Sequence, residues 1–225
     1  MPSANLAPDL SHLALALNSI APSWRGRTEQ QLPVQSTGFN SLDDLLPGGG
    51  WPTGSLIELL HATCGIGEVS LTLPALRQLC HAQRRVTFID PPFTPHPPAL
   101  QAQGLPLEHT LWIATGSSGD GLWAATQLLR TNATGAVLLW SPQRTGKDLR
   151  KLQLAAESGG GLAFLFRDLK AADSPSPAAL RLELQPAPHA LEARVRKARG
   201  GRPGAVRIPL PHLPPATGFA AGTVI

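Results

Sequence analysis

Cysteine is scarce in this chain of 225 residues: only Cys64 and Cys80 are present, so no disulfide framework can brace it. That scarcity agrees with a reducing compartment. No apolar run approaches the roughly 18 residues that a membrane-spanning helix needs. The stretch Leu10 to Ile20 is apolar but has no basic start and no small-residue cleavage site. A secretory signal is therefore not expected, and a cytoplasmic address is. Paired CxxC spacing is also missing. His61, Cys64, Cys80 and His81 are metal-binding residue types, yet their spacing matches no standard zinc pattern, and neither metal nor cofactor is expected. There is no internal repeat.

What is present reads as one globular domain with loose ends. Hydrophobic residues make up 42%, and the mean hydropathy is -0.01. Five apolar stretches have the length of strands buried on both faces: Gly54 to Leu60, Arg85 to Asp90, Thr110 to Ala114, Ala136 to Trp140 and Leu162 to Phe166. Helical patterns fall between them at about Leu71 to Gln83, Gly121 to Thr131 and Lys147 to Glu157, with Asp120 as a cap of the second. Strands alternating with helices imply an α/β fold with a mostly parallel central sheet flanked by helices. Leu180 to Leu184 and Leu191 to Lys197 alternate apolar with polar, as an antiparallel C-terminal extension does. The expected organisation is an N-terminal helix (Asp9 to Asn18) and linker over 1–35, a core over 36–209 and a flexible tail over 210–225. Pro91 to Pro98 reads as a stiff connector.

The run Ser36-Thr37-Gly38-Phe39-Asn40-Ser41-Leu42-Asp43, the Gly48-Gly49-Gly50-Trp51-Pro52-Thr53-Gly54 turn and the strand holding Glu58 resemble the opening of a RecA core. In RecA a similar turn leads into the strand that carries the phosphate-binding loop. From Pro47 to Leu76 the chain also resembles ImuA, the RecA-like accessory family of bacterial mutagenesis cassettes. The resemblance covers roughly residues 24–209 and is specific from Thr37 to Leu76.

A working phosphate loop reads GxxxxGK[ST], with amides, a lysine and a hydroxyl for phosphate and magnesium. Here the corresponding stretch is His61-Ala62-Thr63-Cys64-Gly65-Ile66-Gly67-Glu68-Val69-Ser70. His61 replaces the opening glycine and crowds a tight turn. Gly65 and Gly67 remain, but Glu68 stands at the lysine position and Val69 at the magnesium hydroxyl. A unit-charge pair at 4 Å and an effective dielectric of 20 is worth about 4 kcal/mol, so the glutamate turns attraction into repulsion of similar size. Glu68 at a helix start also suits the macrodipole, and it is expected to replace phosphate with an internal carboxylate. Pro74 predicts a helix that starts late or bends. Pro92 follows the second strand where the resemblance implies a catalytic glutamate, Trp140 stands at the Walker B aspartate, and Arg167-Asp168 at a γ-phosphate-sensing glutamine. No ATPase activity is expected.

The charge, +4 overall, is uneven. Arg194, Arg196, Lys197, Arg199 and Arg202 cluster near the end of the core, and Arg144, Lys147, Arg150 and Lys151 form a second basic group. Such clusters suit acidic protein faces or sequence-blind contacts to single-stranded DNA. Trp24 beside Arg25 is the expected exposed anchor, while Trp51, Trp112, Trp123 and Trp140 are expected in packing. The ImuA resemblance implies a non-catalytic accessory of damage-induced translesion synthesis, with ImuB, the ImuC polymerase and RecA as partners. The alternative is a SulA-like cell division inhibitor that binds FtsZ, although such proteins are shorter.

Overall fold

In β3 (Ser55–His61), a run of aliphatic residues broken by Glu58, all seven residues are buried, and the same holds for β6 (Thr134–Trp140). A strand with no wet face must have cover on both sides, which is the condition of a parallel sheet between helices. The computed structural model describes residues 33–132 and 134–210, and those two strands lie inside an eight-stranded sheet. The expected helix over Asp9 to Asn18, Trp24, Arg25 and the segment beyond Leu210 lie outside the described residues.

In chain order, a short pair β1 (Val34–Gln35) and β2 (Trp51–Pro52) brackets the helical turn α1 (Asn40–Asp43). Then follow β3, α2 (Glu68–His81), β4 (Arg85–Ile89), α3 (Pro97–Ala102), β5 (Thr110–Ile113), α4 (Ser118–Arg130), β6, α5 (Gly146–Gly159), β7 (Leu162–Asp168), β8 (Leu180–Ala187), β9 (Ala190–Ala198) and β10 (Gly204–Pro209). The sheet order is β10-β9-β8-β3-β7-β6-β4-β5. The six strands from β8 to β5 are parallel, and β9 and β10 add an antiparallel ribbon at one side. The expected mixed α/β fold with a mostly parallel, helix-flanked sheet is therefore present.

Strand alternation divides the core into two layers. Ile57, Leu59, Leu138, Phe164 and Phe166 face the side that holds Leu71, Leu76 and Cys80 of α2 together with Leu42 and Trp51. Leu56, Val137, Leu139 and Leu165 face the side that holds Leu122, Ala125 and Leu129 of α4 and Leu149, Leu152 and Ala156 of α5. No helix among the described residues is long and apolar enough to cross a membrane.

Several local expectations are corrected. Leu180 to Leu184 does pair antiparallel with β9, but its other edge pairs parallel to β3, and β10 continues the antiparallel ribbon beyond β9. The cap of α4 is Ser117, whose hydroxyl oxygen accepts the Asp120 amide. Pro97 opens α3 instead of extending a rigid connector, because a proline in the first turn of a helix loses no hydrogen bond. Nor does α2 start late. It begins at Glu68 immediately after Gly67 and carries Pro74 in its interior. The proline ring lies against Gly38, where an added Cβ would come 2.3 Å from Pro74 Cβ.

Candidate functional site

In open parallel sheets the carboxyl ends of the strands are where loops converge and sites form. Here that edge carries His61 of β3, Asp168 of β7, Trp140 of β6, Asp90 after β4 and Thr115 after β5. The loop from Ala62 to Gly67 joins β3 to α2. Gly65 and Gly67 have φ of 81° and 99°, left-handed conformations that suit glycine, and Gly67 is the residue that launches the helix.

Glu68 is the first residue of α2 and is only 4% exposed. Its carboxylate bends back over the loop, and the Gly65 amide donates to Oε1 at 2.9 Å. An amide that a phosphate loop offers to an anion is thus taken by the chain itself. Val69 packs against the core and offers no metal-binding oxygen from its side chain. His61 is the last residue of a strand, buried, with its ring 6.3 Å from Phe166; it does not crowd a turn. Burial holds the His61 imidazole below its ordinary value, against the opposing pull of the Glu68 carboxylate. Cys64 is half-buried in the loop, and burial, then Glu68, pushes its thiol up.

Next to the loop runs a row of rings that the sequence reading did not foresee. His61, Phe166, Trp140, Phe88 and Trp112 stand on the five adjacent strands β3, β7, β6, β4 and β5, each ring in contact range of the next. Trp140 and Phe166 are register partners and stack with centroids 4.2 Å apart and planes 3° from parallel. Trp140, at the position where the resemblance implies a metal-binding aspartate, is therefore a wall of the layer. It also borders an open cleft of about 420 Å³ together with Asp90, Pro91, Thr115, Ser117 and Pro142. Pro92 is exposed beside that cleft. Asp90 is already engaged, accepting the Thr115 amide and hydroxyl at 2.6 Å each.

Arg167 points the other way, into the interior. Its guanidinium donates to Glu58 Oε1 at 3.0 Å, while Arg181 of β8 donates to Oε2 and Ser176 adds its hydroxyl to Oε1. Glu58 has no exposed surface. An acidic residue inside the apolar run of β3 was the available signal, because buried carboxylates almost always have partners. Asp168 accepts the Lys170 amide and so closes the next turn.

The basic cluster does not form one free surface. Arg194, Arg196 and Lys197 lie on β9, with Arg199 and Arg202 in the segment that follows. Arg196 pairs with Asp173 at 2.9 Å and Glu183 at 3.5 Å, Arg194 reaches Glu192 at 3.7 Å, and the Lys197 ammonium donates to the Ser176 carbonyl. The second basic group falls at α5, with Lys147, Arg150 and Lys151 exposed and Arg144 donating to the Ser118 carbonyl. Trp51 and Trp140 are packed as expected, but Trp123 is 66% exposed, because it lies on the outer side of α4.

With this geometry in view, the comparisons are specific. A family model described as the cell division inhibitor SulA matches residues 58–163, from the middle of β3 to the start of β7. The cell division inhibitor SulA of Serratia proteamaculans (strain 568) is 31% identical over 118 residues, 52% of this chain and 70% of that protein. SulA of Serratia marcescens is 30% identical over the same length and shares. RecA of Streptococcus pyogenes serotype M49 is 29% identical over 113 residues, 50% of this chain but only 30% of RecA.

These findings overturn the reading of a translesion synthesis accessory with ImuB, the ImuC polymerase, RecA and single-stranded DNA as partners. That reading rested on Thr37 to Leu76, about half of which lies ahead of the matched region. The charge offered for DNA is also partly neutralised by Asp173, Glu183 and Glu192. Length was no objection to the alternative, since the shared stretch spans most of the Serratia protein. By its loop, its central strands and its shared length, the chain belongs to the SulA family.

Proposed function

We propose that this chain is a cell division inhibitor that acts by binding FtsZ, without nucleotide chemistry of its own. The observation that carries the reading is the SulA match, which spans the strand, loop and helix where a nucleotide site would lie. The internal acceptor bond from Gly65 to Glu68 supports the absence of hydrolysis. A carboxylate already seated on a loop amide repels an incoming phosphate by several kcal/mol at short range, and every 1.4 kcal/mol is about a tenfold loss of affinity. In the same reading, residues 36–209 are a RecA-type core whose site has closed and whose function has moved to its surface. The six-strand parallel sheet and the partial similarity to RecA support that descent.

The test is direct. Induced expression of the chain is expected to produce filamentous cells. The purified protein is expected to block FtsZ polymerisation, read by sedimentation or light scattering, equally well with and without ATP. Normal division together with unchanged FtsZ polymerisation would reject the proposal.

A further inference from the structure

The loop that closes the site also assembles a donor set that neither the family reading nor the sequence spacing assigns. His61, Cys64 and Glu68 each present one ligand atom, and these atoms all lie within 4.8 Å of one another. Two of the three side chains carry a buried atom without a hydrogen-bond partner. His61 Nε2 and Glu68 Oε2 are buried and have no hydrogen-bond partner, on residues only 5% and 4% exposed. A buried polar atom left unsatisfied is costly, so two of them on residues of one donor cluster point to a ligand for that cluster.

We propose that His61, Cys64 and Glu68 bind a zinc-class divalent cation at the junction of β3 and α2. Imidazole nitrogen, thiolate sulfur and carboxylate oxygen form a borderline-soft set that suits zinc and disfavours magnesium or calcium, which prefer oxygen alone. Three protein ligands leave a fourth tetrahedral position for water or a partner's side chain. Charges balance as well: a neutral imidazole, a thiolate and a carboxylate cancel the two positive charges. On binding, the Cys64 S–H bond is replaced by a sulfur–metal bond, and the proton leaves to solvent.

Support for the ligands is in place. The second Glu68 oxygen is held by the Gly65 amide at 2.9 Å, which orients the carboxylate as outer-shell partners do in metal sites. His61 is fixed by the sheet, and Glu68 by the helix start. Tetrahedral zinc needs donor separations of about 3.3–3.7 Å, and Cys64, half-buried in the loop, is the ligand whose adjustment on binding would tighten the set. Cys80, at the far end of α2 and fully buried, takes no part. This site stands independently of the cell-division reading: it ties the loop to strand and helix whatever surface meets a partner.

The experiment uses the full chain, stripped with a chelator and titrated with cobalt(II) chloride, then with zinc chloride. The expected result is one equivalent of bound cobalt, with a sulfur-to-cobalt charge-transfer band that zinc abolishes. Cys64→Ser should remove the band and weaken zinc binding by about a hundredfold or more, since even outer-shell losses cost about 10–100-fold. Cys80→Ser should leave both unchanged. Cys64 is in a half-exposed loop, so Cys64→Ser is expected to fold, and its melting temperature should no longer respond to zinc while that of the unmodified chain rises. Absence of stoichiometric cobalt binding, a band that survives Cys64→Ser, or one that disappears in Cys80→Ser would overturn the proposal.

Discussion

Arg181 stands directly opposite Glu58 in the register of β8 and β3, and its Nε donates to Glu58 Oε2 in the middle of the sheet. The same guanidinium accounts for the carbonyls of Ala171, Ala172 and Ser174, so one side chain ties the turn after β7 to the centre of the fold. With Arg167 on the other carboxylate oxygen, Glu58 is the hub of a buried two-arginine cluster. Removing the hub strands two cations without a counter-charge. Glu58→Ala is expected to cost about 3–5 kcal/mol in denaturant unfolding. A loss under about 1 kcal/mol would show that the cluster does not hold the sheet.

Gly38 is constrained twice, by a φ of 83° and by Pro74. Gly38→Ala is expected to cost about 2–4 kcal/mol, from left-handed strain and overpacking together. Pro74→Ala should not rescue it, because the 2.3 Å approach is to the Cβ, which alanine keeps. Recovery of the melting temperature in the double variant would contradict this geometry.

The stacked pair Trp140 and Phe166 fixes the middle of the ring row. Trp140→Ala is expected to lower stability by about 3–5 kcal/mol, as large-to-small changes of buried aromatics do. Trp140→Phe retains the stack and should lose markedly less. Equal losses in the two variants, measured by the same unfolding assay, would show that stacking is not what matters.

Thr145 and Asp148 form a reciprocal cap at the start of α5. Burial opposes ionisation of Asp148, but hydrogen bonds from Thr145, together with Arg144 and Lys151, leave its carboxyl below the ordinary value of 3.8. A carboxyl depressed in the folded state contributes stability above its unfolded value and loses it as pH falls through the folded one. Asp148→Ala should therefore be destabilising by about 0.5–2 kcal/mol near neutral pH, with the gap to the unmodified chain narrowing below about pH 4. A gap constant with pH would mean that the ionised carboxylate contributes nothing.

Strands β3, β4, β6 and β7 could be read from the chain because each is an apolar run that is buried almost throughout, whereas β8, which alternates apolar with polar, gave no sign of its parallel pairing with β3. The two features that organise the site could not be read either. Glu58 meets its arginines 109 and 123 positions along the chain, a separation that only the sheet order closes. The ring row likewise depends on five strands standing in a spatial order unlike their chain order. Pro74 misled because its local effect is to break a helix, yet tertiary packing against Gly38 accommodates it. The acidic residue at the helix start was legible, since local electrostatics alone places Glu68 over the loop. His61, Cys64 and Glu68 were separable from Cys80 and His81 only once the turn of the loop was known.

The two outermost strands differ in how they discourage chains from zipping together. At one margin β5 is only four residues long, too brief to template a neighbour. At the other, β10 carries Arg207, anchored to the Pro188 carbonyl, and stops at Pro209, which offers no amide to an incoming strand. Shortness, a charge and a proline are the usual guards against edge-to-edge aggregation. Both rims of the described sheet thus carry features that disfavour pairing with the edge of a second copy.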